Sequence, residues 1–214
     1  MNNKQANSFN NLFSNPIFLL LAFISVLAAL FYFFNSTGGD ANSHANIDYE
    51  KKDGKVAIIE YGDYQCPACI NEHFVVERIL SEYGDKVFLE YRHFPLPFHE
   101  YAMKAAVASE CARDQGKFTE MHNALYESRG NLGVDSLRKY AGEIGLNVDI
   151  FNPCLDSDSH KDKIEKDTEQ GNKDGIVGTP TFYINGRLLV NSENDRYLPR
   201  LEDFKREIDA ELGK

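Results

Sequence analysis

The sequence has no block of basic residues. Its 23 lysines and arginines are outnumbered by 33 aspartates and glutamates, which gives a formal net charge of −10 at pH 7. From Ile47 onward the acidic excess is spread along the chain, so no segment is suited to neutralising nucleic-acid phosphates. Nucleic-acid binding is therefore not expected, and the charge indicates a solvated acidic surface.

Cysteine is scarce, and only one pair has close spacing. Cys66 and Cys69 enclose Pro67 and Ala68 in a CPAC motif, while the other two cysteines stand alone. Two cysteines at this spacing form half of a zinc site, a structural disulfide or a redox centre. A structural zinc site normally has four ligands, and no second CxxC or CxxH follows. We therefore expect no metal site and favour a redox pair.

The amino-terminal region lacks charge. Lys4 is the only charged residue in positions 1–16, and residues 17–34 are apolar apart from Ser25. As a helix those 18 residues would extend roughly 27 Å, enough to cross a bilayer core. The pattern predicts a transmembrane anchor at 17–34, a short cytoplasmic segment at 1–16 and a flexible tether at 35–50.

A cleaved signal peptide is the alternative to an anchor. Signal peptides have shorter apolar cores followed by a small-x-small site. Here the nearest such site, residues 43–45, lies late, after bulky aromatics at 31–34. Lys4 weakly favours an amino terminus in the cytoplasm.

The remaining chain predicts an α/β domain with a helical insertion. A β-rich run before Cys66, a helical segment after it and the β-rich run at 86–96 form a β-α-β order. Residues 99–175 have helical patterns and are interpreted as an inserted helical domain. A hairpin with Asn185-Gly186 at its turn and an amphipathic helix close the chain. The core is thus predicted at 51–98 and 176–214.

Four motifs within this order of elements resemble those of one protein family. Residues from about Val56 to Gly213 resemble the DsbA-like thiol–disulfide oxidoreductases, which implies a thioredoxin-like fold. The stretches that carry the resemblance are EYGDYQCPAC, RHFPL, AMKAAVASECARDQGKFTEMHNALYE and GIVGTPTFYING.

The position of Cys66 favours a thiolate. It is predicted at the start of a helix, with Pro67 at the first helical position, where a missing N–H costs nothing. Unpaired amides and the positive end of the helix dipole then face its sulfur and should lower the pKa of the thiol. Cys69, one turn on, is placed to resolve a mixed disulfide formed on Cys66.

Ala68 affects the expected redox potential. The strongest oxidants of the family resemble CPHC, in which an imidazole adds positive character beside the thiolate. Alanine at this position predicts a less extreme oxidant.

The resemblance assigns roles to three further residues. Thr179 and Pro180 look like the cis-proline element, which would leave the backbone of Thr179 free to pair with a substrate chain. Glu60 would be a buried acid that relays a proton to or from Cys69, with its pKa raised by burial. A carboxylate facing water at a strand edge is the alternative for Glu60.

The two remaining cysteines lie in the predicted insertion. If Cys66 and Cys69 form one pair, Cys111 and Cys154 are left to form a structural disulfide. Two free buried thiols are the alternative. A disulfide there would require an oxidising compartment.

These expectations define a function. The protein is predicted to introduce disulfides into unfolded or reduced secreted proteins, to be reoxidised by a membrane redox partner, and to need no nucleotide, flavin or metal cofactor. It is expected as a single-pass protein of the bacterial inner membrane with its catalytic domain facing the periplasm or cell exterior, or as a soluble periplasmic protein after signal cleavage. The alternatives are a disulfide reductase or isomerase, and a redox-inert peptide-binding module.

Overall fold

The computed structural model describes residues 26–29, 46–52, 54–157 and 159–213. The chain divides into two units, residues 1–44 and residues 45–214. In the first unit only 26–29 are described, and they are helical. Most of the predicted anchor therefore lies outside the described residues, and none of the helices found in the described part has the length and apolarity needed to cross a membrane.

The second unit begins with the predicted strand–helix–strand order. Strand β1 (Val56–Gly62) is buried along its whole length, and helix α1 (Pro67–Tyr83) follows a short turn. Gly84 ends the helix with φ of 55°, a left-handed conformation that glycine adopts without steric cost. Strand β2 (Val87–His93) then returns parallel to β1.

Five helices connect β2 to the next strand. Their apolar side chains pack with one another and around the start of α1, including the buried Cys69. In chain order these helices are α2 (Ala102–Arg113), α3 (Phe118–Glu127), α4 (Val134–Glu143), α5 (Val148–Asp156) and α6 (Lys161–Lys173).

The carboxyl-terminal part is a hairpin and a helix. Strands β3 (Thr181–Ile184) and β4 (Arg187–Leu188) are antiparallel. Asn185 and Gly186 join them with φ values of 48° and 81°, as a type I′ turn requires. Helix α7 (Leu201–Glu211) buries Phe204 and Ile208, the centre of its predicted apolar stripe.

The four strands found among the described residues form one sheet in the order β2-β1-β3-β4. Alternation along β1 sends Val56 and Ile58 to the face covered by α1 and α7, while Ile59 and Tyr61 pack on the other face. Glu60 has the parity of Ile58, so it points to the face of α1. It is paired with Tyr91 on β2 and Phe182 on β3, in the middle of the sheet.

Candidate active site

Cys66 is the residue at which α1 begins. Its backbone is extended (φ −71°, ψ 121°), Pro67 follows at the first helical position, and no side chain caps the helix. Its N–H donates to the carbonyl of Asp63 at 3.1 Å, which closes the turn after β1. The sulfur therefore occupies the place where a capping side chain would accept hydrogen bonds from free amides.

This position favours the thiolate form of Cys66. A hydrogen bond from the Cys69 thiol makes the largest contribution to lowering the pKa of Cys66, and burial of the sulfur opposes it. Hydrogen bonds from the amides of Cys69 and Ala68 lower the pKa further, as does the nearby Thr179 side chain, to about 5 from an ordinary value of 9.0. At neutral pH the outer sulfur is ionised.

Cys69 has the opposite tendency. It is fully buried, and burial raises the pKa of its thiol well above 9.0. Its hydrogen bond to Cys66 and the negative charge of Glu60 raise the pKa further. Both cysteines are free thiols here. The site thus pairs an outer sulfur that favours the thiolate with an inner sulfur that favours the thiol.

The loop before β3 lies against Cys66. The Thr179-Pro180 peptide bond is cis, and the Cys66 Sγ donates to the Thr179 carbonyl oxygen at 3.3 Å. Among the described residues, the buried Thr179 Oγ1 has no hydrogen-bond partner. Its hydroxyl is therefore available to donate once Cys66 is ionised, in agreement with its contribution to lowering the pKa of this thiol.

Glu60 lies inside the protein rather than at a strand edge facing water. Its exposed fraction is 1%, and burial is the main reason that its pKa rises from 4.5 to about 8. A hydrogen bond from Tyr126 lowers the pKa, and the charge of Glu72 raises it. Glu60 also interacts electrostatically with Cys69. A carboxyl group that titrates near neutral pH thus lies near the inner thiol.

Asp63 was not predicted as a site residue, although it lies within the EYGDYQCPAC stretch. Its buried carboxylate accepts hydrogen bonds from the backbone N–H groups of Gln65 and Leu96 and from His99 Nδ1, at 2.7 to 2.8 Å. These bonds fix the turn that carries Cys66 to the loop after β2. Phe98 in that loop is 75% exposed.

A buried group of tyrosines and histidines lies between the sheet and the inserted helices. His93 and His122 belong to it and are buried. His122 Nδ1 hydrogen-bonds with Tyr64 at 3.0 Å, and His93 Nε2 pairs with Glu110 at 2.8 Å. We name this group the buried aromatic cluster; its members are Tyr64, His73, Tyr91, His93, His122 and Tyr126.

The other two cysteines are bonded to each other. Cys111 of α2 and Cys154 of α5 form a disulfide that closes a loop of 43 residues. His160 lies beside it, with all three donor atoms within 4.8 Å of one another. Since the two sulfurs are bonded to each other, this group has no thiolate to offer a metal ion.

A protein-family model described as "Thioredoxin" matches residues 45–209. Among solved structures, alpha-DsbA1 from Wolbachia pipientis is 27% identical, with a TM-score of 0.60 over 76% of this chain and 88% of that one. A thioredoxin-like oxidoreductase from Silicibacter pomeroyi is 25% identical, with a TM-score of 0.63 over 76% and 89%. Oxidised BdbD from Bacillus subtilis, at 24% identity, shares the fold, with a TM-score of 0.65 over 77% and 91%.

The curated relatives are much longer proteins. A Na(+)/H(+) antiporter, NhaA 1 of Salinispora arenicola, is 36% identical over 144 residues, which are 67% of this chain and 22% of the antiporter. NhaA 3 of Salinispora tropica is 34% identical over 137 residues, or 64% and 21%. The chain therefore spans about a fifth of the length of the curated relatives it matches.

Proposed function

Because the chain belongs to the thioredoxin family, and has the fold of the DsbA-like oxidoreductases within it, we propose that it is a thiol–disulfide oxidoreductase that oxidises other proteins. The observation that carries the proposal is the contrast between its two free thiols. The pKa of Cys66 is about 5, whereas that of Cys69 is well above 9.0. A disulfide between such a pair is readily transferred to a substrate, because its reduction releases a stabilised thiolate.

The reaction proceeds by two exchanges. A substrate thiolate attacks Cys66 Sγ of the oxidised enzyme, the bond to Cys69 breaks, and Cys69 leaves with the electron pair and takes a proton, which Glu60 supplies. A second substrate thiolate then attacks the substrate sulfur and releases Cys66 as a thiolate. The substrate loses two electrons to form its disulfide, and the enzyme gains them as the Cys66 thiolate and the Cys69 thiol.

The thiolate of Cys66 is stabilised by fewer groups than in the strongest oxidants. Ala68 contributes its amide but no imidazole. A pKa of about 5 for Cys66 lies between the values of about 7 in thioredoxin and about 3.5 in DsbA. We therefore expect a reduction potential between roughly −270 and −120 mV, the values of those two proteins.

An extended substrate segment has a place to bind beside Cys66. The cis Thr179-Pro180 bond and the fully exposed Val177 lie on one side, and the exposed Phe98 lies in the loop that Asp63 ties to the active-site turn. Backbone groups of Thr179 would pair with the substrate chain, as in strand addition. Unfolded or reduced secreted proteins fit this surface, because they present extended segments and free cysteines.

The location and the reoxidising partner are also part of the proposal. The Cys111–Cys154 disulfide is typical of an oxidising compartment. We place the domain in the bacterial periplasm or at the cell exterior, tethered by residues 17–34 or released after signal cleavage. A membrane redox partner would restore the Cys66–Cys69 disulfide after each turnover.

Three measurements test the proposal. The full chain is titrated in glutathione redox buffers, assayed for oxidative refolding of a reduced protein, and assayed for reduction of insulin. We expect an intermediate reduction potential and efficient oxidative refolding. Cys66→Ser should have no redox transition and no refolding activity, while its Cys111–Cys154 disulfide stays intact. A potential at or above that of DsbA would contradict the intermediate oxidant, and one near −270 mV with rapid insulin reduction would favour a reductase. Absence of exchange in the unmodified protein would indicate a redox-inert binding module.

A further inference from the structure

One inserted helix reaches the buried acid beneath the redox pair. Tyr126, near the end of α3, is fully buried, and its hydroxyl donates to Glu60 Oε1 at 3.5 Å. The two residues are 66 positions apart in the sequence. The helices between β2 and β3 thus contribute a polar group to the interior of the active site.

A second hydroxyl supports the first. Tyr91 lies opposite Glu60 in the register of β1 and β2, and its hydroxyl oxygen is 2.8 Å from that of Tyr126. When Glu60 is ionised it can only accept, so Tyr126 uses its single hydroxyl hydrogen for Glu60 and Tyr91 donates to Tyr126. The result is a short chain of donors from Tyr91 through Tyr126 to the carboxylate, in which each bond strengthens the next.

The ring of Tyr126 has little freedom to move. Its centroid lies 4.8 Å from that of Tyr64 and 5.0 Å from those of His73 and His122. A side chain packed on three sides by buried rings keeps one rotamer. The hydroxyl is therefore held toward Glu60 by packing as well as by its hydrogen bonds.

The other groups around Glu60 do not stabilise its charge. Glu72 and Cys69, both on α1, interact with Glu60 through their charges, and both are negative when ionised. The Tyr64 and Tyr91 hydroxyls also interact with Glu60 and also become negative when they ionise. Burial and Glu72 both raise the pKa of Glu60, and the hydroxyl of Tyr126 lowers it. Without that hydroxyl the carboxylate would form only at higher pH.

We propose that Tyr126 is a positioning residue of the reaction, whose hydroxyl stabilises the carboxylate form of Glu60 and so keeps this acid able to take the proton of Cys69. The inference rests on the proposed function, since it requires Glu60 to exchange a proton with Cys69. It adds that the helical insertion controls this exchange.

The proposal predicts a change in one phase of a two-phase reaction. The reduced protein is mixed with 5,5′-dithiobis(2-nitrobenzoate) in a stopped-flow instrument between pH 5 and 10. Cys66 releases the first thionitrobenzoate, and Cys69 releases the second when it attacks the mixed disulfide. Release of two equivalents per chain shows that Cys111 and Cys154 stay bonded.

Tyr126→Phe should affect only the second phase. Loss of a hydrogen bond to a charged group raises the midpoint of its pH profile by about one unit, which lowers the rate at pH 7 by up to about tenfold. The two proteins should converge at high pH, and the first phase should be unchanged. Tyr64→Phe is the matched control, because it removes a buried hydroxyl of the same cluster that bonds with His122 instead of Glu60.

The outcomes separate this inference from the proposed function. If Glu60→Gln removes the pH dependence of the second phase but Tyr126→Phe matches Tyr64→Phe, the inference is wrong and the role of Glu60 stands. If Glu60→Gln leaves the second phase unchanged, both the inference about Tyr126 and the proposed role of Glu60 are wrong. If circular dichroism shows that Tyr126→Phe does not fold, Tyr91→Phe replaces it. A smaller shift in the same direction is then expected, and no shift relative to Tyr64→Phe would overturn the inference.

Discussion

Replacement of Glu60 by glutamine should stabilise the folded protein at neutral pH. The carboxyl group is 1% exposed, and its pKa is raised from 4.5 to about 8. Burial is the main cause, Tyr126 offsets part of it, and Glu72 adds to it. Glutamine has nearly the same shape and keeps an oxygen for the Tyr126 hydroxyl, but it carries no charge to desolvate.

The sign and size of the effect follow from the two pKa values. Since the pKa of Glu60 is higher in the folded than in the unfolded chain, the folded chain holds the proton more tightly. The carboxyl group costs little below pH 4.5, and its cost grows until the pH passes about 8. At roughly 1.4 kcal/mol per pH unit, the cost reaches about 3 kcal/mol at pH 7 and about 5 kcal/mol above pH 8.

Urea unfolding measures this difference. All variants are made in the Cys66→Ser/Cys69→Ser double variant. Because this protein has no redox pair to keep reduced, no reductant is added and the Cys111–Cys154 disulfide stays intact. Glu60 and Cys69 interact through their charges, but the raised pKa of Cys69 keeps its thiol neutral over this pH range, so its replacement removes no charge beside Glu60. The control is Glu169→Gln, on the exposed surface of α6. A stabilisation by Glu60→Gln that is equal at pH 4.5 and pH 8.5, or a destabilisation at pH 7, would refute the reasoning.

Three further predictions concern stability. Gly171→Ala should destabilise the folded protein by about 1–3 kcal/mol in thermal unfolding, because its Cβ would meet a ring carbon of Phe94 at 2.7 Å. Gly142→Ala, whose Cβ would meet no atom within 4 Å, should stabilise the protein by up to about 1 kcal/mol in the same assay. Cys111→Ala/Cys154→Ala, which opens the 43-residue loop, should lose roughly 4 kcal/mol in urea unfolding while keeping exchange activity at low temperature. Burial opposes ionisation of Glu110, but His93 and Arg113 lower its pKa to about 2, so Glu110→Gln should destabilise at pH 7 by up to about 3 kcal/mol, with the difference vanishing as the pH falls toward 2.

The order of strands and helices could be predicted because its signals are local, whereas the thioredoxin-like fold was predicted from motifs that resemble a family. Periodicity identified β1, α1 and β2, Asn185-Gly186 identified the hairpin, and the apolar stripe of α7 identified the last helix. The position of Cys66 at a helix start followed from the proline after it. Each of these depends on residues within a few positions of one another, so the sequence alone contains the necessary information.

The interior of the site could not be predicted in the same way. Tyr126 and Glu60 are 66 positions apart, and nothing in the helical pattern of α3 distinguishes a tyrosine that packs from one that also donates a hydrogen bond. Spacing along the chain also does not show whether His93 and His122 lie at the surface or in the core, where the structure places them. Side-chain contacts across elements depend on how helices dock on the sheet, and spacing along the chain does not specify that.

Different parts of the chain control the two sulfurs. The groups that stabilise the Cys66 thiolate come from the start of α1 and from Thr179, whereas Glu60, the proposed proton acceptor for Cys69, is contacted from β2 and α3. Ala68→His, which adds an imidazole at the helix start, should therefore raise the reduction potential while leaving the pH midpoint of the Cys69 phase in place. Tyr126→Phe should move that midpoint and change the potential little. If either variant moved both quantities to a comparable extent, the thiolate and the proton path would have to be treated as one coupled system.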